Sequence, residues 1–335
     1  MTEPLKWGIL STANIASKAL VPALHETEVA QLTAVASRDE AKARQWADEH
    51  GIARAHGSYD ALLDDAEIGA VYNPLPNHLH KEWTIKAADA GKHVLCEKPL
   101  GLNADECRDM IRACQRNDVV LMEAFMYRYH AQFRRLRGLV EDGAVGEPAL
   151  VRASFSFPLA SFDRPDNIRW QPDMGGGSLM DVGCYCVNVA RALFDAEPIR
   201  AYARSFEHPD FPGVDAQLQG MLEFPDDRFA LVDSSFRLNA QQTIEISGPD
   251  GLIRANGLFN PPIPNVYLEI AEGTDLRTET FDPRYRFHRQ VEHFTACVRE
   301  GRTPETDGAH AIGNMKTIEA LSTSAQTGKP VEIAG

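Results

Sequence analysis

Over the first 125 residues, short apolar runs alternate with amphipathic stretches, and this alternation limits the possible folds more than any other feature. Strand-like runs fall at Lys6–Leu10, Leu32–Ala36, Ala70–Asn73, His93–Cys96 and Val119–Glu123. Between them lie helical segments near Ile15–His25, Glu40–Glu49, Tyr59–Leu63, Leu79–Ala90 and Ala104–Asn117. Strands separated by helices make βαβ units, and right-handed crossovers wind such units into a doubly wound parallel sheet. The ligand crevice of such a sheet lies at the C-terminal strand ends. We therefore expect residues 1–125 to form a Rossmann dinucleotide-binding domain.

After about residue 145 the pattern changes to longer strand-like runs at Ala149–Phe157, Ala216–Phe224, Phe229–Phe236 and Thr243–Ser247. The stretch Pro225-Asp226-Asp227-Arg228 reads as a hairpin turn, because Pro and Asp are turn formers. Helices are expected near Ser178–Phe194, Phe287–Arg299 and Gly308–Gln326. Residues 126–335 are thus expected to be an α+β domain with a mostly antiparallel, open-faced sheet, and the whole chain an α/β protein. Leu218, Met221, Leu222 and Phe224 keep apolar residues on both faces of one strand. One face has the domain's own helices to cover it, so the other is a candidate oligomer interface, most simply of a dimer or a dimer of dimers.

Length suits two domains, at 335 residues. A formal net charge of -14 argues against a nucleic-acid partner, which needs clustered Lys and Arg. No apolar run approaches the ~20 residues of a membrane helix. The opening MTEPLKWGIL has no basic segment followed by an apolar one, so we expect no signal peptide and a cytoplasmic location. Cys96, Cys107, Cys114, Cys184, Cys186 and Cys297 are scattered without a CxxC pair, and reduced thiols are the simplest reading. Cys184 and Cys186 have no matching ligand set, and no metal is expected.

The first strand runs into Ser11-Thr12-Ala13-Asn14-Ile15-Ala16 and then a helix. A pyrophosphate needs small residues where backbone approaches it and a helix N-terminus to bind it. Ser11, Ala13 and Ala16 supply the small residues, although two glycines of the usual fingerprint are missing; an ordinary βα turn would look similar. At the end of the second strand an NAD enzyme usually carries a carboxylate for the ribose. Here Ser37 and Arg38 stand in that place, and a hydroxyl with a guanidinium suits the 2′-phosphate of NADP. NAD stays possible, and the alternative is that Arg38 is a solvated helix-start residue with Asp39 as the cap.

Three further stretches are Tyr72-Asn73-Pro74-Leu75-Pro76-Asn77-His78-Leu79-His80, Glu97-Lys98-Pro99, and Gly175-Gly176-Gly177-Ser178-Leu179-Met180-Asp181-Val182-Gly183-Cys184-Tyr185. With the opening W-G-I-L-S-T-A-N-I-A, they resemble the glucose–fructose oxidoreductase and inositol dehydrogenase family along essentially the whole chain. The segments E-A-F-M-Y-R-Y-H and D-V-G-C-Y-C-V look most like the NADP-dependent D-xylose dehydrogenase and dihydrodiol dehydrogenase subgroup. The resemblance implies an NADP-dependent dehydrogenase or reductase that moves a hydride between the nicotinamide and a sugar, inositol or dihydrodiol.

An alcohol losing hydride must also lose its hydroxyl proton, so a positioned base is needed, and Lys98 can serve if its surroundings lower its pKa. Asp181 and Tyr185 lie four apart on an expected helix and share a face, where a carboxylate and a phenol can orient Lys98. Tyr185 could equally be a core aromatic, and family members often carry His at its place. The resemblance further implies that Pro74, Asn77 and His80, with Glu97, lie by the nicotinamide ribose, that Arg169 and Trp170 reach cofactor or substrate, and that Lys98-Pro99 is cis. Trp170 could instead be core packing, and Tyr127, Arg128 and Tyr129 either line the sugar pocket or pack at a domain boundary. Two rival functions use the same features: a dinucleotide-binding regulator without turnover, and an NAD-dependent glycoside hydrolase of the same fold.

Overall fold

Runs that are apolar on both sides can pair only where both faces are covered, and the chain's first strands do so in parallel. A computed structural model describes residues 3–159, 166–259, 265–284 and 286–334. The chain divides into two units, Met1–Tyr129 with Tyr285–Ile312, and His130–Arg284 with Gly313–Gly335. In the first unit, β1 (Leu5–Leu10), β2 (Ala30–Ala36), β3 (Arg54–His56), β4 (Ala70–Asn73), β5 (His93–Cys96) and β6 (Leu121–Glu123) form one sheet in the order β3-β2-β1-β4-β5-β6. Every described pairing in it is parallel, as the βαβ reading requires. The strand order reverses between β1 and β4, and such a switch point is where a doubly wound sheet opens its crevice.

The connecting helices are α1 (Val21–His25), α2 (Glu40–Glu49), α3 (Tyr59–Leu63), α4 (Asn77–Asp89) and α5 (Ala104–Arg116). A π-helical turn over Ala16–Leu20 leads into α1, where the sequence implied one continuous helix. Side chains of Asp39, Ser58 and Asn103 cap α2, α3 and α5 by accepting backbone N–H groups.

Among its described residues the second unit holds α6 (Ala131–Glu141), α7 (Cys184–Phe194) and nine strands: β7 (Leu150–Ser156), β8 (Arg200–Glu207), β9 (Asp215–Phe224), β10 (Arg228–Ser235), β11 (Gln241–Ser247), β12 (Gly251–Asn256), β13 (Tyr267–Glu272), β14 (Asp275–Thr280) and β15 (Val331–Glu332). Their order is β14-β13-β12-β11-β7-β10-β9-β8-β15. Among the described strands of this second sheet only β7 and β10 pair in parallel, so it is mostly antiparallel, as expected. The β9–β10 hairpin turns where Asp226 and Asp227 both take positive φ, 63° and 54°, a conformation Asp tolerates better than most residues. A π-helical turn, Leu179–Gly183, precedes α7. Alternation is clean in β11, where Gln242, Ile244 and Ile246 are buried and their neighbours are not.

The last helices are α8 (Arg286–Glu300) and α9 (Gly308–Thr327). The reading above gave all of residues 126–335 to the second domain, but α8 packs into the first unit. Val291 and Phe294 join the core cluster of Trp7, Ile9, Tyr72 and Leu95, with the Trp7 and Phe294 rings 4.9 Å apart. Among the described residues no helix is long and apolar enough to cross a membrane. All six cysteines are buried thiols.

Candidate active site

Four strand ends of the first unit carry the expected cofactor residues. Ser11, just beyond β1, has φ 123°, a strained value for any residue with a side chain. Strain of ~1–3 kcal/mol is retained where a site over-determines the backbone. The Ser11 hydroxyl oxygen is buried and makes no hydrogen bond within the protein. Thr12, Ala13, Asn14 and Ile15 continue the turn, and the first helical bond runs from Ser17 N–H to Ala13 O at 3.2 Å. The earlier N–H groups at a helix start have no intrahelical acceptor, which fits the small-residue turn to a pyrophosphate.

Beyond β2, Ser37 is buried and its Oγ accepts the Asp39 N–H at 3.2 Å. Asp39 caps α2 through Lys42 N–H, as the alternative reading had it. Arg38 is exposed and lies against Tyr59, whose phenol is raised by burial and lowered by the guanidinium.

Beyond β4 and β5 the loops are tied together. The Tyr72 hydroxyl donates to Glu97 Oε1 at 2.6 Å, and Glu97 N–H donates to Asn73 O at 3.0 Å. Lys98 follows, half-buried, and the Lys98-Pro99 bond is cis. Leu100 N–H donates to Glu123 Oε1 at 2.8 Å, which holds the far side of the Glu-Lys-Pro loop to β6. Asn73 donates from Nδ2 to His80 O and Thr84 Oγ1 and accepts Leu75 N–H, so Pro74 and Asn77 start α4 from a fixed turn.

His80 departs from the expectation. It is wholly buried, with Nε2 2.7 Å from Leu75 O and Nδ1 3.0 Å from Pro99 O. Burial, and secondarily the charge of Lys98, press its pKa down to about 4. Its ring therefore joins the two loops and does not face a ligand itself. Tyr127 is wholly buried near Phe125, and Arg128 is buried with Nη1 3.2 Å from His310 Nε2.

In the second unit, Arg169 Nε donates to Asp181 Oδ2 at 2.6 Å. The Asp181 charge raises the guanidinium's pKa above its ordinary value. Tyr185 packs its ring against Phe155 and Phe259 at 5.4 and 5.3 Å. Trp170 is a core residue, stacked on Phe211 at 4.7 Å and edge-on to Phe236 at 5.4 Å. The indole is thus packed within the core of the second unit. Motif reading quoted Tyr72 and Asn73 without giving either a role and left Glu123 unmarked; all three are polar groups at the ends of apolar strands. Such a group at a parallel strand's C-terminal end was the available signal.

Residues 5–125 match the oxidoreductase family with an NAD-binding Rossmann fold, and residues 133–254 match the GFO/IDH/MocA C-terminal domain. A D-xylose 1-dehydrogenase (NADP(+)) from Haloferax volcanii is 45% identical, over 98% of this chain and 100% of its own. The chain belongs to the GFO/IDH/MocA oxidoreductase family. Another member, a trans-1,2-dihydrobenzene-1,2-diol dehydrogenase from Xenopus laevis, is 34% identical over 88% of this chain and 90% of its own. Among solved structures, an aldose-aldose oxidoreductase from Caulobacter crescentus superposes with a TM-score of 0.90 at 28% identity, covering 98% of this chain and 99% of its own. Strand order, turn and Glu-Lys-Pro loop thus sit in a GFO/IDH/MocA frame. Among the described residues no cluster of three His, Cys, Asp or Glu could hold a metal ion.

Proposed function

We propose that this chain is an NADP-dependent dehydrogenase or reductase acting on a CH–OH carbon of a sugar or polyol, with Lys98 as its acid/base. One observation carries the reading most. Lys98 leaves the C-terminal end of β5 on a loop fastened by Tyr72, Glu123 and His80, in the same row of strand ends as the Ser11 turn. NADP, when bound, supplies the hydride acceptor or donor. Ser11, Thr12, Ala13, Asn14 and Ile15 hold its pyrophosphate, Ser37 and Arg38 its 2′-phosphate, and Pro74, Asn77 and Glu97 its nicotinamide end. Lys98 Nζ takes the hydroxyl proton as the alcohol is oxidised and returns it on reduction. Asp181, oriented by Arg169, and Tyr185 serve the same proton transfer.

The NADP-linked relative that acts on D-xylose makes an aldose the first substrate class to test. The experiment is a screen of D-xylose, other aldoses, inositols and a dihydrodiol with NADP and NAD, read by nicotinamide absorbance. Lys98→Met should keep NADP affinity and lower kcat by ~10²–10⁴. A variant that retains most of its kcat removes Lys98 from the role. Product release from a glycoside without net nicotinamide reduction would make the hydrolase reading the right one.

Two further assignments complete the proposal. The protein acts in the cytoplasm, in keeping with six unbridged thiols. It also pairs through the sheet face opposite α7. That face exposes Tyr202, Phe206, Phe229 and Leu231 and holds a concavity of ≈ 610 Å³ lined by residues including Arg152, Asp233, Glu245 and Arg254. A second copy would cover it isologously. Light scattering after size exclusion at micromolar concentration should give twice the 37.0 kDa chain mass, and a clean monomer would refute the pairing.

A further inference from the structure

At the start of β9, a carboxylate occupies a place that no motif marked. Asp215 Oδ2 accepts the Ser178 hydroxyl at 2.5 Å and the Leu179 N–H at 2.9 Å. Ser234 Oγ, on β10, lies 2.9 Å from Ser178 Oγ. Since Ser178 gives its proton to Asp215, the Ser234 hydroxyl donates to Ser178. The other carboxylate oxygen faces Gly177, where a Cβ would stand 2.4 Å from Oδ1 and where φ is 105°. Two backbone bonds fix the same segment from its other side. Gly176 N–H donates to Gln171 O at 3.0 Å and Gly177 N–H to Arg169 O at 2.9 Å. A Cβ on Gly176 would meet Arg169 O at 2.7 Å, so that approach needs glycine.

From this anchored start, Asp181 N–H bonds to Gly177 O at 3.1 Å and the π-helical turn begins. Asp181 then reaches Arg169 Nε at 2.6 Å. A carboxylate at a helix N-terminus satisfies N–H groups that have no intrahelical acceptor and favours the positive end of the helix dipole. Here it comes from a distant strand, so the sheet itself sets where the turn starts. Burial of the carboxylate pushes its pKa up to about 6, and the opposing causes are hydrogen bonds with no cation among them. An enclosed charge without a cation costs stability unless its hydrogen bonds are well made.

We propose that Asp215 is the positioning residue for Asp181: by anchoring Ser178 and Leu179 to β9, it fixes the turn that brings Asp181 against Arg169. The inference rests on the role assigned to Asp181 under the proposed function. A misplacement of ~1 Å in such a group can cost about 10²-fold in rate.

The test is a double-mutant cycle on the full chain with NADP and the substrate found in the screen, D-xylose first. Asp215→Asn keeps the side chain's shape and can still accept both bonds through its carbonyl oxygen, but they lose the carboxylate's charge and an amide nitrogen replaces Oδ1 beside Gly177. It should lower kcat by ~10–100-fold while NADP affinity stays within about twofold. Ser178→Ala should move kcat in the same direction with less risk to folding. Because Asp215 acts through Asp181, adding Asp215→Asn to Asp181→Asn should cost no further kcat, where independent sites would multiply. A merely structural role would lower the melting temperature and leave kcat per folded molecule intact. Wild-type kcat in folded Asp215→Asn, or multiplicative losses in the double variant, overturns the inference alone. If Asp181→Asn itself keeps full kcat, the reading of Asp181 fails and the inference falls with it.

Discussion

Replacing His80 with Gln should abolish a specific part of the protein's acid sensitivity. The imidazole is wholly buried, and its pKa lies at about 4 against the ordinary 6.5 because charge there is desolvated. In the unfolded chain the ring regains its ordinary pKa, so the unfolded state binds more protons between the two values. The sign follows: this neutral histidine contributes stability that is fully present above pH ~6.5 and lost as pH falls toward ~4. The 2.5-unit difference between the two values is worth about 3 kcal/mol in full, and linkage places about 2 kcal/mol of it between pH 7 and 5.

His80→Gln removes the titrating group while leaving an amide able to donate to Leu75 O or Pro99 O. At pH 8 the variant should be less stable by ~1–3 kcal/mol, because the amide fills the ring's enclosed space imperfectly and remakes the neutral imidazole's single N–H bond less well. Urea unfolding read by tryptophan fluorescence suits the question, because Trp7, Trp46 and Trp83 all lie in the first unit. The wild-type advantage should shrink by about 2 kcal/mol from pH 7 to 5, carboxylates common to both proteins cancelling in the difference. A wild-type-minus-variant difference that stays flat over this range would refute a buried, neutral His80.

Two other substitutions follow from the same geometry. Arg38→Ala should weaken NADP binding by ~10–100-fold and leave NAD nearly unchanged, the loss of about 1.5–3 kcal/mol in charge-assisted bonds; titrating both cofactors by fluorescence checks this, and equal losses for NAD and NADP would count against it. Gly177→Ala puts a side chain at φ 105° and 2.4 Å from Asp215 Oδ1, so it should cost ~2–4 kcal/mol and lower the melting temperature by about 5–15 °C by calorimetry.

The parts of the fold that could be read from the chain are those whose burial is one-sided in sequence. β4 is buried at every position and reads as an apolar run, and β11 alternates strictly. β3 is three residues long with Arg and His, and β14 is exposed or nearly so throughout, so neither carries a hydrophobic pattern to find. β8 hides behind its small alanines, with only Ala201 and Ala203 buried. The misplacement of α8 has a different origin. Its apolar stripe announces a helix but not the partner, and the contact of Phe294 with Trp7 spans nearly the whole chain.

The site divides along the same line. Lys98, Asp181 and the Ser11 turn stand in runs of neighbouring residues, where a motif can mark them. The contacts of their supports are not local: Tyr72 reaches Glu97 across 25 residues, Glu123 reaches Leu100 across 23, and Asp215 reaches Ser178 across 37. Those separations collapse once strand order is known. β4 and β5 run parallel with Tyr72 opposite Leu95 and Asn73 opposite Cys96. Side chains two apart on a strand share a face, so Glu97 emerges on the side of Leu95 and Tyr72. A phenol one register step behind a carboxylate is then within reach of it, as the 2.6 Å bond shows. The neighbour β6 ends on Glu123, paired with Cys96, and so meets the chain just after the cis bond, at Leu100. Sheet register, more than any motif, decides which polar residues hold the Glu-Lys-Pro loop.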